Sequence, residues 1–491
     1  MTDTTRRELL GWLAGLGAAA GVGLVAPGRA AASGSTGVTA LRGVTLVDTT
    51  GSPPRRDATI VLADNRILAV GGCDLPLPPN ATVLDLPGKY VIPGLWDMHV
   101  HGAYSDRVTF PMCLANGVVG LREMWGFGPI YELRDRVERG EVFGPKLVVG
   151  STIIDGPDSM LPGPLIARTP EEGRAAVRDW AGQGAEFVKV YSYLDRATLT
   201  AIADERARIG IPFAGHNSCH VPLGEASDLG QRTFEHMYGL PLATSSQEDE
   251  LRDRIGRTPL DPANPFGWFK QWLECERLAT LSHRRSKAVQ LAKRLRRNNS
   301  WLSPTIGAMR VYGSPADRFA DDERLKYVPP FMKQLWADQL KQWVPVTPQE
   351  IRDQELFLRR RMDQVAEMHA LDVGVLVGTD TGNPYTYAGF SVHDELELLV
   401  EAGLSPLAAL RAATAGPATV LGEPAGTLRP GQRADLVVLH GNPLADIRNT
   451  RRIHSVLTRG RVLGEEERAR MLADAEKAAQ EPFPAVQRAC C

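Results

Sequence analysis

Cysteine and net charge are both scarce in this sequence of 491 residues. The spacing of the six cysteines matches neither a zinc knuckle nor a disulfide framework, so neither a cysteine-bound structural zinc nor a set of disulfides is predicted. The formal charge of −2 excludes the basic balance that is typical of nucleic-acid-binding or membrane-surface proteins. The cysteines are Cys73, Cys113, Cys219, Cys275, Cys490 and Cys491.

Long apolar runs are absent after the first thirty-odd residues, which excludes a membrane span in the rest of the chain. The start of the chain is different. Arg6-Arg7 precede a Gly- and Ala-rich apolar stretch, and Ala30-Ala31-Ala32 follow it. These are the parts of an export signal, and the adjacent arginines resemble a twin-arginine signal. The alternative is a membrane anchor, but the glycines lower its hydrophobicity. We therefore predict a signal over residues 1–32 and a periplasmic or secreted protein with no membrane attachment after its removal.

β-branched runs separated by turn residues occur near both ends of the sequence. One set lies within residues 38–71, and the other includes 434–439 and 453–457. Such runs predict short strands and hairpins. Because the two sets flank a long middle, we expect them to form one small β-sandwich domain from residues 33–90 and 425–463. Residues 464–491 are predicted as a helical tail.

The middle of the chain alternates short apolar runs with helical stretches. Nearly all-apolar strands indicate a parallel sheet covered on both faces, and eight such units favour a closed barrel. The predicted fold class is therefore α/β, a (β/α)8 barrel over residues 91–424 with the β-sandwich domain beside it. The eight strand candidates are Tyr90 to Leu95, Val118 to Leu121, Lys146 to Val149, Phe187 to Val190, Ile211 to Ala214, Arg232 to Phe234, Ser300 to Ser303 and Gly374 to Val377.

Two long, charged and helical insertions interrupt this barrel at about residues 241–299 and 307–370. The run from Leu278 to Arg297 is rich in Arg and Lys. We interpret it as the solvated face of an amphipathic helix and not as a surface for an anionic partner. The insertions are predicted to form either a lid or a subunit contact, which leaves a homo-oligomer possible.

Metal-capable side chains stand at the ends of five of the predicted strands. In a strand, residues i and i+2 point the same way, so the pair His99 and His101 can face one ion. A barrel carries its catalytic groups at the C-terminal ends of its strands, so all six residues are expected to converge there. The six are His99, His101, Lys189, His216, His236 and Asp380.

Several motifs resemble the amidohydrolase superfamily, in particular its prolidase-like and imidazolonepropionase-like branch. The resemblance covers about residues 44–463. It rests on Pro-Gly-Leu-x-Asp-x-His-x-His at 93–101, Gly-Thr-Asp at 378–380, the run from His393 to Pro406 followed by Ala412-Ala413-Thr414, the closing Gly-x-Leu-x-Pro-Gly-x-x-Ala-Asp-Leu-Val-Val at 426–438, and Asn442-Pro443-Leu444.

The resemblance implies a binuclear centre in which Lys189 is carbamylated by carbon dioxide. A lysine beside cations and apolar walls has a lowered pKa, and its neutral amine can react with carbon dioxide. By this likeness His99, His101, Lys189 and Asp380 would hold one divalent ion. Lys189, His216 and His236 would hold the other, with zinc expected from the imidazole and oxygen donors. A metal-bridging hydroxide would attack the substrate, and Asp380 would be the general base.

The substrate is less well defined because two positions depart from the family pattern. Arg122-Glu123 stands where the family often has Arg-Asp, and Asn217 replaces a small residue. Tyr191, His393 and Arg122 are predicted substrate contacts, and for Tyr191 and His393 a packing role is an equal alternative.

A small-molecule, peptide-like amide is the expected substrate, such as a dipeptide or an N-acyl amino acid. A lactam, a carbamate or an ester is the alternative. Deamination is disfavoured because the deaminases of this superfamily generally lack the strand-four lysine. A catalytically silent, exported binding protein is disfavoured because no ligand is missing.

Overall fold

The computed structural model describes residues 37–482, apart from residues 104, 160, 162, 260, 262 and 263. The predicted export signal and the terminal Cys490 and Cys491 lie outside the described residues. The four cysteines within them are free thiols. Across the same residues, every helix is too short or too polar to cross a bilayer.

The described residues form strands and helices that are numbered here along the chain. The strands are β1 (Thr39–Leu46), β2 (Arg55–Ala63), β3 (Arg66–Gly71), β4 (Thr82–Asp85), β5 (Tyr90–Pro93), β6 (Leu95–Val100), β7 (Val118–Glu123), β8 (Lys146–Asp155), β9 (Leu165–Ile166), β10 (Phe187–Val190), β11 (Phe213–Gly215), β12 (Gln231–Glu235), β13 (Trp301–Ser303), β14 (Leu436–Leu439), β15 (Ile453–Thr458) and β16 (Arg461–Leu463).

The helices follow the same numbering. They are α1 (Thr109–Ala115), α2 (Gly128–Glu138), α3 (Pro170–Gly182), α4 (Arg196–Ile209), α5 (Leu223–Asp228), α6 (Leu240–Thr244), α7 (Glu248–Arg257), α8 (Pro265–Leu281), α9 (Arg285–Arg297), α10 (Ile306–Tyr312), α11 (Pro330–Trp343), α12 (Pro348–Ala370), α13 (Phe390–Ala402), α14 (Pro406–Ala412), α15 (Ala415–Leu421) and α16 (Glu465–Ala479). Two 3₁₀-helices span Glu323–Tyr327 and Ile447–Arg451.

The two ends of the chain meet in one mixed sheet, as the sequence predicted. Its order is β16-β15-β14-β5-β1-β2-β3, with β4 beside the first half of β1. The join is made by antiparallel pairing of β14 with β5, in which Val438 faces Val91 and Leu436 faces Pro93. Apolar side chains from both chain ends, including Leu41, Ile60 and Leu457, fill one core against this sheet.

The barrel consists of seven parallel strands in the order β6-β7-β8-β10-β11-β12-β13, with β9 added beside β8. This arrangement confirms the predicted α/β fold class. The first strand differs from the prediction, because Tyr90 to Leu95 is divided between the two sheets at Gly94. A Cβ atom at Gly94 would lie 2.4 Å from Val119 Cγ2, so only glycine lets the chain pass from one sheet to the other here.

An irregular segment, residues 374–381, stands where the eighth strand was predicted. It bridges the barrel edges with backbone hydrogen bonds instead of a continuous ladder: Leu302 N donates to Gly374 O at 2.9 Å and Met98 N to Val377 O at 2.9 Å. A Cβ atom at Gly378 would lie 2.8 Å from His99 Cβ, so this glycine permits the close approach. The segment therefore closes the barrel directly beside His99.

Most of the two insertions is helical. The chain between β12 and β13 forms α6 to α9, and the chain after β13 includes α10, α11 and the 23-residue α12. Helix α9 buries Ala288, Leu291 and Leu295 on one face, while Arg294 and Arg297 pair with Asp228 on the outside. This basic run is therefore the solvated face of an amphipathic helix.

Asp97 ties the closing segment to β6, and its removal is predicted to destabilise the barrel. The buried carboxylate accepts hydrogen bonds from Thr379 N at 3.0 Å, Thr379 Oγ1 at 2.5 Å and His99 N at 3.2 Å. Asp97→Ala should lower the free energy of unfolding by about 3 kcal/mol, because buried donors lose their acceptor. Urea denaturation measures this. Asp85→Ala, which removes an exposed partner of Arg42, should leave the urea midpoint unchanged. Equal midpoints for the two variants would contradict this account of barrel closure.

Candidate metal centre

Three of the predicted ligands meet at the seam between β6 and the closing segment. His99 Nε2 and His101 Nε2 lie 3.2 Å apart, and each lies 3.3 Å from Asp380 Oδ1. Period-2 alternation places both imidazoles on one side of the end of β6. His99 is fully buried, whereas the side chain of His101 is one-fifth exposed, so the site opens to solvent on the side of His101.

His216 and His236, which directly follow β11 and β12, complete a row of rings across the barrel mouth. The ring centroid of His236 lies 4.7 Å from that of His99 and 4.7 Å from that of His216. His99, His236 and Asp380 bring one ligand atom each within 4.8 Å of one another, the arrangement of a possible metal site. These side chains come from four separate segments of the barrel, and the fold brings them to one place.

Lys189 is the third kind of predicted ligand, after histidine and aspartate, and it is as fully buried as His99. Its exposed fraction is 0%, and its Nζ has no hydrogen-bond partner among the described residues. Burial lowers the pKa of Lys189 to about 8. Its charge in turn depresses the pKa values of His99, His216 and His236, although their burial is the larger cause. Lys189 therefore acts electrostatically on the same three histidines.

The protonation states of these groups suit cation binding. Burial and the nearby lysine hold the pKa of each buried imidazole below its usual range, so the rings are neutral and have a free lone pair. Burial acts to raise the pKa of Asp380, but its interactions with His236, His99 and His101 lower that pKa overall. A carboxylate, neutral imidazoles and an unpartnered buried amine form a donor set that fits a divalent metal.

Each buried imidazole is oriented by a hydrogen bond through its other ring nitrogen. His99 Nδ1 lies 2.8 Å from Glu235 Oε2, and His216 Nδ1 lies 2.8 Å from Ser192 Oγ. Such partners fix the tautomer and rotation of a metal-binding imidazole. The sequence analysis missed both partners, although a carboxylate directly before His236 was a signal for Glu235.

Arg122 does not lie where a substrate contact would be. It is 2% exposed and points into the barrel, where its guanidinium donates to Glu235 Oε1 at 2.8 Å and to Met98 O at 2.6 Å. Burial acts to raise the pKa of Glu235, but the charge of Arg122 and the hydrogen bond to His99 hold that pKa below its usual range. Arg122 therefore acts on His99 indirectly, through Glu235. The prediction that Arg122 contacts the substrate does not fit this geometry.

His393 does not fit a substrate role either, because both of its ring nitrogens are engaged away from the cluster. Nδ1 lies 2.9 Å from Thr450 Oγ1, and Nε2 lies 3.0 Å from Asn116 O. The residue is buried and joins α13 to the neighbouring segments. Its position favours the packing role.

Tyr191 stacks directly on a predicted ligand, since its ring centroid lies 3.8 Å from that of His216. Tyr238, which the sequence analysis did not single out, lies on the same histidines, with its ring centroid 5.1 Å from His216 and 5.3 Å from His236. Burial raises the pKa of both phenols, so each keeps its proton and can donate it in a hydrogen bond. These two tyrosines form an aromatic wall beside the cluster.

His236 and Asp380 share an unusual backbone conformation. Their φ angles are +60° and +58°, in the left-handed region that non-glycine residues rarely adopt. Such residues cluster at functional sites, where the surrounding structure holds them against a local cost. Hydrogen bonds from His236 N to Ser303 O at 3.0 Å and from Asp380 N to His99 O at 2.8 Å hold them here.

Comparisons with known proteins agree with this geometry. A model of the amidohydrolase family matches residues 129–463. An imidazolonepropionase from Deinococcus deserti is 24% identical over 409 residues, which cover 81% of this chain and 89% of that protein. The solved structure of a bottromycin amidohydrolase has a TM-score of 0.70 at 26% identity over 90% of both chains. A candidate prolidase from Bifidobacterium longum has a TM-score of 0.63 at 25% identity, covering 90% of this chain and 99% of that one.

The family match covers more than half of the chain and includes the segments that carry Lys189, His216, His236 and Asp380. The chain therefore belongs to the amidohydrolase family and is a hydrolase of the carbon–nitrogen class.

Proposed function

We propose that this protein hydrolyses a peptide-like amide bond, as in a dipeptide or an N-acyl amino acid, with two divalent ions as cofactors. The observation that carries the proposal is the meeting of His99, His236 and Asp380 at the barrel mouth, together with a fully buried Lys189 whose Nζ has no hydrogen-bond partner among the described residues. The similarity to a bottromycin amidohydrolase and a candidate prolidase supports an amide substrate.

In this proposal the candidate ligands fall into two sets, one for each ion, and Lys189 belongs to both sets. His99, His101, Lys189 and Asp380 would hold the first, and Lys189, His216 and His236 the second. Lys189 would do so as a carbamate, whose two oxygens replace one amine nitrogen. We propose zinc for both ions, because imidazole and oxygen donors suit it. The ions would supply Lewis acidity and make hydroxide available from water near neutral pH.

Asp380 is the residue that we propose moves protons in the reaction. It takes a proton from the water that adds to the carbonyl carbon, and it returns that proton to the nitrogen as the carbon–nitrogen bond breaks. The products are a carboxylic acid and an amine. Its left-handed backbone and the bonds at the seam fix the carboxylate beside His99 and His101. The phenols of Tyr191 and Tyr238 border the same space and are suited to donate to a substrate oxygen.

A substrate screen tests the peptide-like assignment. Zinc-loaded protein, with its metal content measured, should release amine from members of a library of dipeptides and N-acyl amino acids. Parallel sets of lactams, carbamates and esters distinguish the alternatives. Turnover confined to one of those sets would contradict the peptide-like substrate, and no turnover of any set by the metal-loaded protein would contradict hydrolysis itself.

Asp380→Asn should lower kcat by about 10²–10⁴-fold, because the amide cannot accept the proton from water. KM should change much less, since the loss falls on the transition state. Steady-state kinetics at saturating metal measure both constants. The matched control is Asp372→Asn, which alters an exposed aspartate that also has a positive φ on the approach to the closing segment. A kcat for Asp380→Asn equal to that of the control would refute the proton-transfer role.

Reloading of chelator-stripped enzyme should require carbon dioxide and should depend on pH in a defined direction. Only the neutral amine of Lys189 reacts, and its pKa is about 8. At constant dissolved carbon dioxide, the activation rate should rise roughly tenfold from pH 6 to pH 7 and level off above pH 8. Lys189→Ala should bind one equivalent of metal or fewer, as measured by elemental analysis. Reloading that is indifferent to carbon dioxide, or two equivalents in the variant, would exclude the carbamate.

A further inference from the structure

The turn that follows β12 carries His236 in a strained conformation. His236 and Met237 both have φ of +60°, and Gly239 has φ of +84°. A Cβ atom at Gly239 would lie 2.5 Å from Asn217 Nδ2, so this position excludes larger residues as well. Non-glycine residues in the left-handed region cost about 1–2 kcal/mol each, so the turn needs external support.

Two side chains from the inserted helices bind the backbone of this turn. Glu276, on α8, accepts a hydrogen bond from Gly239 N through Oε1 at 2.8 Å. Arg361, on α12, donates through Nη2 to the carbonyl oxygen of His236. The two contacts hold the turn at both of its ends, and they come from two different helices that are far apart in the sequence.

Arg361 also supports the aromatic wall of the candidate metal centre. Its guanidinium carbon lies 5.6 Å from the ring centroid of Tyr238 and 5.0 Å from that of Phe357. A guanidinium stacked on an aromatic face is held by cation–π attraction. Arg361 therefore contacts both His236, through its carbonyl, and Tyr238, through its ring.

Stability alone is a weak reason for burying these two charges. Arg361 is 4% exposed and Glu276 is 1% exposed. Among the described residues, Arg361 Nε and Glu276 Oε2 both lack a hydrogen-bond partner. Replacing buried charges by apolar residues of similar volume is often neutral or stabilising. The observed role of the two side chains is local, because each one forms a hydrogen bond with a backbone group of the strained turn.

We infer that Arg361 and Glu276 are positioning residues that hold the 236–239 turn, and with it the imidazole of His236, in place for the second metal ion. The inference rests on the proposed role of His236 as a ligand. It makes the inserted helices α8 and α12 a structural part of the metal centre, since each supplies one of the two contacts. The helices would then determine how tightly the second ion is held. The proposed ligands of the first ion do not lie in this turn, so Arg361 and Glu276 should have little effect on its affinity.

Metal affinity tests this inference, because a residue that only packs would not change the two ions unequally. Stripped wild-type protein and Arg361→Met are titrated with Co²⁺ in carbon dioxide-saturated buffer, and binding is followed by the visible absorption of the bound ion. Removing a group that orients a metal ligand typically weakens binding about 10–100-fold. We expect that loss for the second equivalent in Arg361→Met and no loss for the first.

The matched control is Arg360→Met on the same helix. Arg360 is half-buried and donates to Thr280 O at 3.2 Å, away from the turn. Its titration should equal that of the wild type. Arg361→Lys keeps the charge and should fall between the wild type and Arg361→Met. It also serves if Arg361→Met does not fold, as judged by circular dichroism of the metal-free proteins.

The outcomes separate this inference from the proposed function. Wild-type protein that binds two ions, with the second weakened selectively in the Arg361 variants, supports the positioning role. Wild-type protein that binds two ions, with both Arg361 variants unchanged or with both ions weakened equally, overturns it while leaving the proposed function intact. Wild-type protein that binds fewer than two ions contradicts the binuclear centre, and the inference fails with it.

Discussion

A buried amine without a partner is the constraint on which the rest of this structure depends. Lys189 lies at the end of β10 with no exposed surface, and no hydrogen-bond acceptor within the described residues reaches its Nζ. An isolated ammonium is costly to bury, so the side chain must lose its proton or acquire a partner. Burial lowers the pKa of Lys189 to about 8 although Glu235 and Asp380 act to raise it, so a neutral amine is available. The neutral histidines and the ionised Asp380 are the side chains that would hold the proposed cations.

The barrel is closed by a segment that is not a regular strand. Seven strands form a parallel ladder, and the segment 374–381 completes the circle with single backbone hydrogen bonds and with Asp97. That irregularity allows Asp380 to take a left-handed backbone and to turn its carboxylate toward His99 and His101. A regular eighth strand would not permit that backbone conformation, because β-strands have negative φ. Closure and function therefore depend on the same stretch of chain.

Much of this could be predicted from the sequence. Apolar runs with polar ends located the strands, and side-chain alternation placed His99 and His101 on one face. Because a barrel carries its functional groups at the C-terminal ends of its strands, the sequence also predicted that four further residues lie at this mouth: Lys189, His216, His236 and Asp380. The motifs at 93–101 and 378–380 added the family, and the family match bears that out.

Other features depend on contacts that alternation and motifs do not specify. Arg122 lies near the end of a strand, as the predicted ligands do. Its long side chain turns inward because Glu235 and the carbonyl oxygen of Met98 accept hydrogen bonds from it there. His393 belongs to a family motif, yet its helix directs it toward Thr450. The left-handed turn at His236 and its two supports from distant helices required the tertiary structure, since no local pattern connects residues 236, 276 and 361.

Anomalous diffraction at the zinc edge, from crystals of zinc-loaded protein grown with carbon dioxide, tests the central claim most directly. The account predicts two peaks at the barrel mouth, one beside His99, His101 and Asp380 and one beside His216 and His236, with Lys189 extended by three atoms between them. A single peak, or an unmodified Lys189 whose Nζ points away from the metal, would contradict it.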